Sequence, residues 1–318
     1  MKNISKGIRG HLSKFGTLLI LILIIVIISI VEPNFLSLKN FTNIMRQVSV
    51  TGIISFGMVM VIITSGIDLS PGSTLAFAGM FVAIFANQGN NVMAVLAGIG
   101  IALLCGAING SVIAITGIPP FIMTLGMQLM ARGAANIVTG GFPITNLNSA
   151  FRKIGGGNVG IIPVPVIIYA VLAVISHLIL AKTTFGKSVY AIGGNEEAAH
   201  LCGINVKKIK FLVYAYMGIM TGVAAILLTS RVNAGNASVG LNYEFDAIIA
   251  AVIGGTSLAG GVGTISGCVI GALIVGCIDS GLTMLGVSAF YQQIFKGALI
   301  IVSVILDTYR GKSVKSAK

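Results

Sequence analysis

The run VMAVLAGIGIALLCGAINGSVIAIT, residues 92–116, contains no charged side chain. As a helix rising about 1.5 Å per residue it is long enough to cross the roughly 30 Å hydrocarbon core of a bilayer. The rest of the chain has the same character. Of 318 residues, 56% are hydrophobic and 9% charged, against roughly 25% charged in soluble domains. So little charge cannot cover a soluble fold, and lipid is the natural solvent for most of this surface. The chain therefore reads as an all-α, polytopic integral membrane protein of about ten transmembrane helices.

Working outward from residues 92–116, spans are expected at 16–31, 49–65, 72–86, 121–139, 163–181, 210–230, 247–257, 262–282 and 289–306. The segments 72–86 and 247–257 fall short of a full bilayer and are expected to be tilted, broken or partly re-entrant. The start from Lys2 to Lys14 followed by an apolar run resembles a signal peptide. No small-residue cleavage site follows Val31, so the run reads as a retained first helix. Basic residues then orient the spans. Lys2, Lys6, Arg9 and Lys14, the loop residues Lys182, Lys187, Lys207, Lys208 and Lys210, and the tail residues Arg310, Lys312, Lys315 and Lys318 would share one face. The positive-inside rule makes that face cytoplasmic. The organisation expected is a cytoplasmic segment 1–15, a single transmembrane domain 16–309 with a cytoplasmic loop at 182–209, and a cytoplasmic tail 310–318, in the plasma (inner) membrane.

The net charge of +12 lies at loops and termini without interleaved aromatics, which excludes a nucleic-acid groove. No G-x-x-x-x-G-K-[ST] sequence occurs, and Gly260-Gly-Val-Gly-Thr-Ile-Ser-Gly267 lacks the lysine that would reach a phosphate, so it reads as a tight helix connection. His11, His177 and His200 lie far apart, and His177 reads as a packed side chain. Cys105, Cys202, Cys268 and Cys277 have no metal-binding spacing. No metal, cofactor or catalytic constellation is expected, and the chain is not an enzyme. Pairs at small-xxx-small spacing, Gly106/Gly110, Gly218/Gly222 and Gly263/Gly267/Gly271, read as close helix crossings. The segments 66–72 and 255–261 share the pattern G-x-[DS]-L-[SA]-x-G, a hint of internal repetition.

Three acids, Asp68, Asp246 and Asp279, fall at or near span ends. They read either as groups facing a path or as caps and anchors at the membrane surface. In the fifth span Thr124, Gln128, Arg132 and Asn136 recur every four residues and share one helix face. Such a stripe suits either hydroxyl-rich cargo exchanging hydrogen bonds along a cavity or polar contact between helices. Asn109 is a further candidate. In the long loop, Asn195 can cap a short helix with Glu196 and Glu197 in its first turn, where the helix dipole favours acids, and Gly203 can end it.

Glu197-Ala198-Ala199-His200-Leu201-Cys202-Gly203 resembles the E-A-A-x-x-x-G motif of importer permeases of the ATP-binding-cassette class; no Leu-Pro pair follows Gly203, so the match is to the shorter form. Thr64–Gly72, Gly193–Ala199, Gly203–Val206, Gly254–Gly261 and Leu285–Ser288 resemble the ribose-type branch of monosaccharide permeases, and the resemblance runs from about residue 30 to residue 307. It implies a permease subunit working by alternating access, coupled to a separate ATPase subunit that hydrolyses the ATP, with an extracytoplasmic sugar-binding protein and a second permease copy or paralogue as partners. It further implies that Asn195, Glu196, Glu197, Ala198, Ala199 and Gly203 serve coupling, and that Asp68, Asn109, Thr124, Gln128 and Asn136 belong to the pathway or gate. Ribose leads as cargo; galactose, xylose, allose and autoinducer-2 are carried by related permeases. The competing reading is an ion-coupled secondary transporter of a small polar solute, which requires an acid deep in the membrane.

Overall fold

The computed structural model describes residues 2–315; Met1 and the last part of the expected tail, 316–318, lie outside the described residues. The helices are α1 (Lys2–Val31), α2 (Leu38–Ile63), α3 (Pro71–Asn87), α4 (Asn91–Thr116), α5 (Pro120–Thr139), α6 (Ser149–Gly156), α7 (Val164–Lys182), α8 (Thr184–Gly194), α9 (Glu196–Leu201), α10 (Val206–Val232), α11 (Tyr243–Ile253), α12 (Ile265–Met284) and α13 (Ala289–Lys315). Two strand pairs of two residues each, Ile144–Thr145 with Ala234–Gly235 and Asn158–Val159 with Ile162–Pro163, decorate one end. The fold is all-α. Six helices, α2, α4, α5, α7, α10 and α12, are long and apolar enough to cross a membrane, and shorter apolar stretches occupy 16–31 of α1, α3, and 289–305 of α13.

Helix boundaries follow local chemistry. Asn90, Asn195, Asn205 and Thr264 each accept a backbone N–H in the first turn of α4, α9, α10 and α12, which satisfies donors that a helix start leaves free. Gly117 ends α4 and Gly140 ends α5 in the left-handed region. Helices α1 and α13 run beyond the expected spans, from Lys2 and to Lys315, and α2 begins at Leu38 rather than Ser49. Lys39, Asn40, Arg46 and Gln47 lower the hydropathy of its first turns, yet each of the last three has a partner. Asn40 Nδ2 donates to Phe35 O at 2.9 Å, Arg46 Nη2 to Asn158 Oδ1 at 2.7 Å and Gln47 Nε2 to Asp279 Oδ2 at 3.4 Å. Polar side chains with partners do not stop a helix that Ser37 has already capped.

The centre of the molecule is α2, buried at every position from Val48 to Ile63. Around it pack α10, α11, α12 and α7, while α4 and α3 lie against α10. Of the expected glycine crossings, all but the Gly263 position form. A Cβ at Gly106 would strike Tyr214 O, one at Gly110 would sit 2.8 Å from Phe211 O, and one at Gly222 would sit 2.7 Å from Ile99 Cα. The pairs on α4 and α10 are thus two sides of one crossing, at which the backbones touch without intervening side chains. Gly267 and Gly271 do the same for α12 against Gly254, just past the end of α11, and Ala250 within it, whereas Gly263 lies before α12 and faces the Ile63 and Thr256 side chains. Outward faces carry exposed Leu, Ile, Val and Phe, among them Leu19, Ile30, Val92, Leu129, Ile137, Val174 and Phe290, as expected where lipid is the solvent. His177 also lies on an exposed face of α7 rather than packed inside.

Two helices begin inside the molecule. Before α3, residues 64–70 are not helical, and before α11, residues 236–242 carry only turns. The two starts meet, because a Cβ at Gly72 in the first turn of α3 would collide with Glu244 Oε2 and with Gly240 O. A glycine is needed there for the approach alone. Segment 255–261 meets the residues that lead into segment 66–72, through Ser65 Oγ donating to Ala259 O at 3.2 Å and Gly261 N donating to Ile63 O at 2.9 Å.

Candidate functional site

The meeting of the two helix starts is lined by the residues singled out above. Asp68 is 1% exposed. Its Oδ1 accepts from Ser70 N at 2.8 Å and Ser70 Oγ at 2.7 Å, and Ser70 Oγ in turn accepts from Asn109 Nδ2 at 3.1 Å. Asn109 stands seven residues before the end of α4, about 10 Å into that helix at its ordinary rise. Thr124 Oγ1 receives Leu69 N at 3.1 Å and donates to Pro120 O at 3.0 Å. A residue of the polar stripe therefore secures the non-helical segment that leads to α3. Two positive helix ends converge here, and the carboxylates of Asp68 and Glu244 lie beside them, as the helix dipoles favour.

Further along α5, Gln128 Nε2 donates to Glu244 Oε1 at 2.9 Å. Arg132 Nε donates to Ser73 Oγ at 3.2 Å, and its Nη1 to Val239 O at 2.9 Å and to Ala237 O. The stripe on α5 thus faces both broken segments at once. Asn136 does not join it: it is exposed, and its Nδ2 turns back to Arg132 O at 2.9 Å. Glu244, which the sequence gave no reason to select, is the central acid, 2% exposed, with Oε2 lacking a hydrogen-bond partner among the described residues. It follows a polar connection and opens a short helix, so no local pattern marks it; only the pairing with Gln128 does.

Asp246 and Asp279 are not surface anchors. They are 4% and 7% exposed, and Lys296 Nζ reaches Asp246 Oδ1 at 2.7 Å and Asp279 Oδ2 at 3.0 Å. With Gln47 added, this cluster ties α2, α11, α12 and α13 together. Burying three charges is tolerable because each has an opposite partner within contact distance.

At the end that carries α8 and α9 stands the second candidate surface. Asn195 Oδ1 accepts Ala198 N at 2.9 Å, Glu196 and Glu197 occupy the first turn of α9, and Gly203 has φ +85° just past its end. Glu196 is held by Lys210 Nζ at 2.7 Å. Ala199 packs inward, whereas Asn195, Glu196, Glu197, Ala198 and Gly203 are exposed, and Leu201 is 81% exposed. A cleft of about 880 Å³ separates α9 and the start of α10 from the end of α4, lined by Ile113, Gly117, Glu197, His200, Ile204 and Lys207 among others. The local sequence predicts this capped helix residue by residue, and the structure leaves its first turn and Leu201 exposed.

Comparison with known proteins decides the family. Residues 40–304 match the family described as branched-chain amino acid transport system / permease component. The chain belongs to this family. Among its relatives, the ribose import permease protein of Bacillus subtilis (strain 168) is 44% identical over 301 residues, 94% of each chain. That of Escherichia coli (strain K12) is 41% identical over 304 residues, 94% of this chain and 95% of the relative. The xylose transport system permease protein of Haemophilus influenzae is 36% identical, covering 88% of this chain and 92% of the relative. No solved structure matches.

Proposed function

We propose that the chain is the membrane-spanning permease subunit of an ATP-driven, binding-protein-dependent importer of a monosaccharide, with ribose as the cargo. The observation that carries this reading is the 44% identity, spanning 94% of both chains, to a ribose import permease. Relatives named for xylose and allose support the sugar class, within a family whose description names amino acids.

In this reading the six long helices, the three shorter apolar stretches and α11 make ten crossings or part-crossings, with α3 and α11 each filling part of a bilayer and completed by the non-helical segments before them. Both termini, α8 and α9 face the cytoplasm, where Lys182, Lys187, Lys207 and Lys208 gather. Asn195, Glu196, Glu197, Ala198, Ala199 and Gly203 form the knob that engages a separate ATPase subunit, which binds and hydrolyses the ATP. Asp68, Asn109, Thr124, Gln128 and Glu244 set the gate where α3 and α11 begin, and Asn136 lies toward the extracytoplasmic mouth. A sugar's hydroxyls can replace the hydrogen bonds that these amides, hydroxyls and carboxylates make to one another, so the gate opens without stranding polar groups. The remaining partners are an extracytoplasmic sugar-binding protein, a second permease copy or paralogue, and lipid.

The test is uptake of radiolabelled ribose into proteoliposomes containing the chain and its cognate ATPase, with binding protein outside and ATP inside. Uptake that needs both and survives an ionophore is expected. Uptake by the chain alone that collapses with the ion gradient would overturn the reading in favour of an ion-coupled carrier.

A further inference from the structure

Beneath α9 the chain is knotted in a way that the docking role alone does not require. Tyr190 of α8 donates its hydroxyl to Gly263 O at 2.6 Å. Burial pushes that phenol above its ordinary value, so it stays a donor at physiological pH. One helical turn on, Gly193 lies directly on the end of α2: a Cβ there would land on Ile63 O and come within 2.5 Å of Gly261 N. Gly261 N donates to Ile63 O at 2.9 Å, and Ser65 Oγ to Ala259 O at 3.2 Å. Asp307 of α13 closes the knot by accepting Ser257 Oγ at 3.1 Å and Leu258 N at 2.9 Å.

Each strand of this knot leads to one of the two broken helices. Ile63 and Ser65 run straight into the segment that carries Asp68 and then into α3. Ser257 to Gly263 form the connection from α11, whose other end holds Glu244, to α12. Only Asn195 separates α8 from α9, so α8 and α9 form a lever whose short arm rests on both segments. Backbone in contact with backbone leaves no side chain to absorb displacement, and packed contacts of this kind shift as units rather than deform.

We propose that Tyr190 and Gly193 are positioning residues for coupling: they form the joint through which movement of α8 and α9 displaces the segment leading to α3 and the far end of α11 together. This rests on the permease reading above. It goes further by separating engagement of the ATPase, which belongs to the exposed face of α9, from transmission, which belongs to the half-buried face of α8 that packs on the end of α2.

The experiment measures sugar taken up per ATP hydrolysed by the assembled permease, ATPase and binding protein in proteoliposomes. It compares wild type with Gly193→Ala, Tyr190→Phe and Gly194→Ala; at Gly194 an added Cβ meets open space. The expected result is that Gly193→Ala and Tyr190→Phe keep ATPase association and hydrolysis but lose uptake per ATP, Tyr190→Phe by roughly two- to tenfold, the worth of one hydrogen bond. Gly194→Ala is expected to match wild type. Unchanged uptake per ATP in Gly193→Ala overturns the proposal. If Gly193→Ala does not reach the membrane, Tyr190→Phe decides, since it removes one hydroxyl and adds no volume; wild-type stoichiometry there overturns the proposal too. A wild-type chain that fails to associate with any ATPase would instead overturn the permease reading, so the two failures are distinct.

Discussion

Replacing Gln128 by Leu tests the gate most directly. In the structure Gln128 Nε2 is the hydrogen-bond donor to Glu244 Oε1, at 2.9 Å, and Oε2 of the same carboxylate has no hydrogen-bond partner among the described residues. Leu in this place leaves a carboxylate that is 2% exposed without that donor. A hydrogen bond to a charged group contributes about 1.5–3 kcal/mol, and stranding a buried acceptor costs a comparable amount. Gln128→Leu is therefore expected to lower stability by about 2 kcal/mol. Glu244→Gln removes the charge while keeping the shape, and in that background the same Leu substitution should cost much less. The four proteins form a double-mutant cycle with an expected interaction energy of about 1–2 kcal/mol. Thermal unfolding of the purified protein in detergent reads this coupling, and ribose uptake by the same four shows whether it belongs to transport. If the two changes add within about 0.5 kcal/mol, the contact is incidental and Glu244 has no place in the gate. If they couple in stability while all four transport normally, the stripe on α5 is a packing feature.

Three other outcomes are expected. Glu197→Lys, on the exposed first turn of α9, should leave membrane insertion intact and abolish co-purification of the ATPase; retained association and uptake would remove α9 from coupling. Gly106→Leu should sharply lower the yield of folded protein in the membrane, because its side chain would be driven into Tyr214 O at the α4–α10 crossing, and overpacking of this kind costs about 1–3 kcal/mol or more; normal yield and unfolding temperature would show that the helices can separate there. Lys296→Met leaves Asp246 and Asp279 facing each other without their cation, and removing one partner of a buried ion pair costs about 3–5 kcal/mol; an unfolding temperature equal to wild type would mean that the carboxylates find other partners.

What could be read in the sequence, and what could not, divides by the range of the interaction involved. The capped helix α9 was legible because Asn195, its two acids and Gly203 act within one short stretch, and the glycine crossings were legible because spacing on a single helix declares a small-residue face. The start of α2 was not, since Arg46 and Gln47 look like the end of an apolar run until Asn158 and Asp279 are brought against them. The same reason hid Glu244 and the burial of Asp246 and Asp279, which lie near helix ends as read but are paired inside by Lys296. Asn136 follows Gln128 and Arg132 by the same four-residue step, yet it is exposed and bonds back to Arg132 O, which the period alone does not show.

The shortness of segments 72–86 and 247–257 was the one local sign of the long-range arrangement. A helix too short for the bilayer must begin inside it, and its exposed backbone donors then require acceptors at depth. Asp68 and Glu244 stand at the two places where that requirement arises. Their burial is thus a consequence of breaking the helices, and the break leaves the molecule two non-helical segments, 64–70 and 236–242. A permease that alternates between two openings needs such segments near the middle of its path, and needs them tied to the surface where force is applied. The contacts of Gly193 with Ile63 and Gly261 supply that tie. Segment 255–261, which follows α11, meets Ile63 and Ser65, which lead into segment 66–72 and α3, and that meeting is the joint beneath α8.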